Sequence, residues 1–138
     1  MKLVAALALA IAATVASAQP VSPADAAAIR KVVEAQLDAF RNDDGARAFS
    51  YATDGIREIF GTPERFMAMV RGDYAVVYRP ASVAFDAPEV AGGEIVQPVR
   101  LTDAAGNPWV AIYPMQREAD GAWRINGCRL GRIFGRSI

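Results

Sequence analysis

The period of the apolar residues changes once along this chain, and that change constrains the fold more than any other feature. From Ile29 to Phe40 the apolar positions are Ile29, Val32, Val33, Leu37 and Phe40, the spacing of one helix face. Arg30, Lys31, Glu34, Asp38 and Arg41 take the opposite face. Beyond about Tyr78 the spacing falls to two. Ala81 to Ala87 alternates around Val83 and Phe85, and Glu94 to Thr102 puts Ile95, Gln97, Val99 and Leu101 on one side. Trp109 to Glu118 reads as the longest strand and Trp123 to Leu130 as the last. Helices first and strands after predict an α+β fold, with N-terminal helices packed on a curved antiparallel sheet of about four strands.

The helical half carries its own start signals. Ser22-Pro23-Ala24-Asp25 places a capping hydroxyl, a proline at the first helical position and an acid in the first turn. That helix should run to about Arg41, where Asn42-Asp43-Asp44-Gly45 ends it. Ala46 to Tyr51 predicts a second helix anchored by Phe49, and Ile56 to Phe60 a third, closed by Gly61. Thr62-Pro63-Glu64 opens a fourth, burying Phe66, Met67 and Val70 and ending near Asp73.

In the strand half, Pro98 argues for an edge strand or a bulge, because proline cannot donate to a ladder. Ala119-Asp120-Gly121 predicts a three-residue hairpin loop with Glu118 opposite Ala122. Carried on without a break, that register puts Trp109, Ala111, Tyr113 and Met115 on one face with Trp123 and Ile125. Val110 and Ile112 then share the other face with Cys128 and Leu130. Two apolar faces imply helices inside the curve and a second contact outside it, such as a homodimer.

Residues 1–18 read as a leader peptide. Lys2 gives a short positive start, Leu3 to Val15 is apolar apart from Thr14, and Ala16-Ser17-Ala18 is a small-x-small cleavage site. The expected product is a periplasmic or secreted domain of residues 19–131, with residues 132–138 as a tail. No cysteine near the cleavage site invites a lipid, and the apolar run is short for a membrane span. Removing Lys2 leaves a net charge near −1, which excludes the basic footprint of a nucleic-acid binder. With no histidine and one cysteine, a transition-metal site has few ligands to draw on, and neither metal nor cofactor is expected.

The run IRKVVEAQLDAFRNDDGARAFSYATDGIREIFGTPERFMAMV, with the later YRP and DGAWRINGC, resembles the bacterial domain of unknown function 4864 family. The resemblance spans roughly residues 25–131 and implies a small exported or membrane-associated protein with no assigned activity and no catalytic residues to transfer. The order of helices and sheet is similar, more distantly, to the cone-shaped nuclear transport factor 2-like superfamily. That likeness implies a long first helix lying across a curved, cone-like sheet and closing a pocket. Members of that superfamily include isomerases and dehydratases, which often use a pocket aspartate or histidine, and many non-catalytic binding domains.

Six residues are candidates for binding a ligand. Gln36 interrupts the apolar stripe of the first helix, so its amide either floors a pocket or pairs with strand backbone. Tyr113 lies on a central strand, and Tyr51 offers a second hydroxyl; both are also ordinary core-filling choices. Asp54 and Arg57 pair a carboxylate with a guanidinium, a general-base or anion-clamp arrangement that also occurs as a solvated helix start. Arg79 precedes the first strand, where it could close the open end of a cone or sit in a surface loop. Cys128 reads as a small buried hydrophobe. The expectation is a non-enzymatic domain that binds a small ligand or a protein partner. The alternative is a small cone-fold enzyme of isomerase or dehydratase type, using a carboxylate and tyrosine hydroxyls.

Overall fold

The computed structural model describes residues 21–134, together with Ala5 and Ala10, which belong to no element. The rest of the expected leader and residues 135–138 of the expected tail lie outside the described residues.

Five helices come first: α1 (Pro23–Arg41), α2 (Gly45–Ser50), α3 (Asp54–Phe60), α4 (Pro63–Asp73) and the single turn α5 (Ala75–Tyr78). The first four start where side-chain caps allow. Ser22, Asp44, Thr53 and Thr62 each accept a hydrogen bond from the backbone N–H three residues on. A cap of this kind stabilises a helix by about 1 kcal/mol. α1 buries Ile29, Val33, Leu37 and Phe40, all at most 4% exposed. Each such side chain contributes about 1.5–3 kcal/mol of transfer free energy, so this helix is the main hydrophobic anchor of the helical layer.

Six strands follow: β1 (Ser82–Phe85), β2 (Glu89–Ala91), β3 (Glu94–Thr102), β4 (Pro108–Arg117), β5 (Trp123–Ile125) and β6 (Arg129–Arg132). All ladders between them are antiparallel. β1 and β2 both pair with one edge of β3, and β5 and β6 both pair with β4. The sheet is therefore four strands wide, and it curls into a half-barrel under the helices: an α+β fold, as the change of period predicts. β2 and α5 escape a sequence reading because each is one short turn or bridge long. The β2–β3 hairpin closes through Gly92 and Gly93 at φ 57° and 79°, a conformation glycine adopts without strain.

Both divided columns have one cause. Pro98 lies in β3, a central strand and not the edge expected of it, paired with Ile112 of β4. Its other side faces Asp86, just beyond the end of β1. Asp86 N donates to Pro98 O at 3.2 Å, but Pro98 has no N–H to return. The neighbouring column breaks there, between β1 and β2. The buried side chain of Gln97 takes over the missing bond, its Nε2 donating to Asp86 O at 2.6 Å and to Pro98 O at 2.8 Å. Pro114 does the same on β4. It accepts from Asn126 N at 2.7 Å and cannot reciprocate, and the column breaks between β5 and β6.

That second break corrects the expected last strand. Met115 pairs with Ile125 in the hairpin register, but Ala111 pairs with Leu130, a slip of one residue. The slip is taken up at Asn126-Gly127-Cys128, where Gly127 has φ 108°. A one-residue slip exchanges faces. Leu130 thus joins the Ala111 face, and Cys128 turns to the helix side of the sheet beside Tyr113, not to the outer face with Val110 and Ile112. The strand also reaches Arg132, and Ile133 N still donates to Pro108 O at 3.0 Å.

Candidate functional site

A half-open cavity of about 370 Å³ lies between the helices and the inner face of the sheet. Its position follows from the folding just described. The slip at Gly127 draws the β5–β6 connection along one wall, with Cys128 facing in. The helices supply the remaining walls. Phe66 of α4 stacks between Phe40 of α1 and Phe60 of α3, at ring-centroid distances of 6.1 and 5.6 Å. Val70 and Val77 continue the apolar lining, and Ile56 and Ile59 of α3 stand over it. The connection between α2 and α3 is fixed to the sheet edge. Ile125 N donates to Tyr51 O at 2.8 Å, Thr53 N donates to Ile125 O at 2.9 Å, and the Thr53 hydroxyl reaches Asn126 Oδ1 at 2.9 Å.

Few polar groups reach this space. Gln36 is 3% exposed and donates Nε2 to Ala48 O at 3.1 Å, a carbonyl in the last turn of α2 whose other partner is the long bond from Tyr51 N at 3.4 Å. Of the two expected roles, pocket floor or partner of strand backbone, it lines the cavity and its backbone partner is a helix, since α2 packs against α1. Tyr113 is 1% exposed, and its hydroxyl has no hydrogen-bond partner in the protein. Burial holds that phenol well above its usual titration range, reinforced by the nearby Cys128. Cys128 is partly buried as a residue, but its sulfur is turned toward Tyr113, and desolvation pushes the thiol up to about 12. Tyr74 donates its hydroxyl to Cys128 O at 3.0 Å, tying the end of α4 to the slipped strand. Asp73 is the one carboxylate along the lining, and it is exposed at the mouth.

Of the six residues expected to bind, the fold brings Gln36 and Tyr113 to the cavity. Tyr51 caps α2, its hydroxyl accepting from Arg47 Nε at 3.4 Å. Asp54 is exposed on the outer side of α3, where it pairs with Arg57. Arg79 belongs to another cluster: its Nη1 donates to Phe40 O at 2.7 Å and its Nη2 to Asp43 Oδ2 at 3.1 Å. Asp43 also receives Arg71 at 3.3 Å and the Tyr78 hydroxyl. These bonds hold its carboxyl below the usual range, the Tyr78 contact first among them. This cluster clamps the α1–α2 turn to α4 and α5 and leaves Arg79 away from the cavity. The sequence reading missed Cys128 and Tyr74 as cavity residues. The signal was Asn126-Gly127 inside a strand pattern, which marks a bulge.

Among the described residues no cluster of histidine, cysteine and carboxylates could hold a metal ion, and no helix is long and apolar enough to cross a membrane. Comparison with protein-family models matches residues 22–136 to the family described as Domain of unknown function (DUF4864). The chain belongs to that family. No curated protein and no solved structure matches it. For this DUF4864 domain, the chemistry of the cavity therefore carries the functional reading.

Proposed function

We propose that this is an exported domain that holds a small, largely apolar molecule between its helices and its sheet without transforming it. The observation that carries the reading is the cavity of about 370 Å³ lined by Tyr113, whose buried hydroxyl has no hydrogen-bond partner among the described residues. Its size falls within the range of small-molecule sites, which combine apolar walls with a few placed polar groups. A buried polar group without a partner costs about 1–3 kcal/mol, and a ligand that pairs with it recovers that cost.

The isomerase or dehydratase alternative combines a carboxylate base, held against the bound molecule, with tyrosine hydroxyls. This chain has no histidine. Asp73 stands in solvent at the mouth and Asp54 outside the cavity. Binding without turnover fits those positions better. The leader pattern of residues 1–18 supports export, with cleavage after Ala18.

Native mass spectrometry of the protein purified from the periplasmic fraction tests both parts. The expected spectrum shows a chain beginning at Gln19 with a non-covalent adduct that is lost on denaturation. A chain beginning at Met1 would overturn the export reading. A bare chain that also fails to take up N-phenyl-1-naphthylamine, a neutral apolar probe, would overturn the binding reading.

A further inference from the structure

We infer that the molecule held in this cavity is uncharged and places one acceptor oxygen, of a ketone, ester or alcohol on an otherwise apolar frame, against the hydroxyl of Tyr113. The inference rests on the binding reading above and names its ligand class.

A phenol is one donor and an acceptor. Buried donors without partners are rarer than under-used acceptors, so the group completing Tyr113 is an acceptor. The Cys128 sulfur lies close enough to perturb that hydroxyl, but outside the geometry of a hydrogen bond, and a thiol is a weak partner in any case. Gln36 gives one amide N–H to Ala48 O, and its Oε1 makes no hydrogen bond with the Tyr113 hydroxyl.

Charge narrows the class further. No arginine or lysine lines the cavity, and its one carboxylate, Asp73, stands at the mouth. A carboxylate or phosphate reaching Tyr113 would lose its hydration with no countercharge inside and would pass an anion on entry. A cation would find no carboxylate at the buried end. The remaining walls, Phe40, Phe60, Phe66, Val70 and Val77, accept an apolar frame and offer no second hydrogen bond from their side chains. The oxygen end therefore lies against β4. The apolar end points out past Ile59, which is 74% exposed on α3.

Acetophenone and α-methylstyrene differ only in carrying a carbonyl oxygen or a CH₂ at the same place, and benzoate adds the charge. Each is titrated into the wild-type protein and into Tyr113→Phe, with chemical-shift changes at Val70, Val77 and residue 113 as the readout. Circular dichroism melting serves as the fold check. Tyr113→Phe removes only an unpaired hydroxyl and should melt no lower than wild type.

The wild type should prefer acetophenone over α-methylstyrene by roughly three- to tenfold, the value of one net hydrogen bond. The variant leaves the ketone oxygen unpaired and should therefore prefer α-methylstyrene, and benzoate should bind neither protein measurably. Equal binding of ketone and alkene by the wild type would overturn the inference and leave the cavity as an apolar site. So would a preference that survives Tyr113→Phe, or benzoate binding as tightly as the ketone. If no probe shifts the cavity resonances, the binding reading fails and the inference fails with it.

Discussion

Replacing Gln97 with methionine should destabilise the protein through a carbonyl that proline has left without its ladder donor. In the native fold Gln97 is 1% exposed, and its Nε2 bonds Asp86 O at 2.6 Å and Pro98 O at 2.8 Å. Pro98 O keeps a second partner, the N–H of Asp86. Asp86 O has only the glutamine, so it is the group that becomes orphaned. A buried acceptor left unpaired costs about 1–3 kcal/mol. Asp86 lies at the exposed end of β1, where water can partly replace the amide, so the lower half of that range applies: about 1–2 kcal/mol. The decisive comparison adds Pro98→Val. Valine restores the N–H opposite Asp86 and makes the glutamine redundant, so Gln97→Met should then cost under about 0.5 kcal/mol. The coupling between the two sites should be about 1 kcal/mol, within the span of double-mutant cycles for residues that share a partner. Urea unfolding followed by the fluorescence of Trp109 and Trp123 gives all four stabilities. An equal cost of Gln97→Met in both backgrounds would refute the proposed exchange of side-chain for backbone donor.

Gln36→Leu should cost about 1 kcal/mol in the same assay, since it leaves Ala48 O with only the long bond from Tyr51 N at 3.4 Å; unchanged stability would show that this amide serves the cavity alone. Cys128 should react with 5,5′-dithiobis(2-nitrobenzoate) at pH 8 roughly a thousandfold more slowly in the folded than in the denatured protein, because only the thiolate attacks. The unfolded thiol ionises near 9 and the folded one only near 12, so this residue's contribution is intact below pH 9 and lost as pH rises toward 12. The stability of wild type should fall over that window relative to Cys128→Ala. Asp103 works in the opposite direction. Bonds from Trp109 Nε1 first, then from Asn107 and Ala105, hold its carboxyl at about 2, so its contribution is present above pH 4 and lost as pH falls through 2. Acid titration should show a steeper loss of stability between pH 4 and 2 in wild type than in Asp103→Asn.

What could be read from the sequence was whatever a short window contains. The four capped helices, the Glu94–Thr102 strand and the Glu118–Ala122 hairpin end all have local causes, and each stands where the residues put it. The family resemblance rested on the GTPERF and DGAWRINGC segments and held over residues 22–136. Tyr113 and Gln36 were legible because a polar group in an apolar pattern is a local anomaly. The rest depended on residues far apart. Pro98 could be placed in a central strand only through Gln97 and a break in the next column. Cys128 changed face through a one-residue slip opposite Pro114, and strand alternation alone gives no sign of which residue takes up a slip. Arg79 was drawn away from the cavity by Asp43, 36 positions earlier. Its charge marked it as a candidate, but nothing near it in sequence named its partner.

The most direct test of the central claim is to fill the cavity without touching its polar groups. Val77 lies on its wall and is 3% exposed. In Val77→Phe the larger ring should occupy part of the space that a ligand would take. Titration with N-phenyl-1-naphthylamine, read by its fluorescence enhancement, compares the variant with wild type, and circular dichroism confirms that both are folded. Saturable binding by the wild type and at least a tenfold loss in a folded Val77→Phe are expected. Equal binding by both proteins would place the probe elsewhere and contradict the claim that this cavity is the binding site.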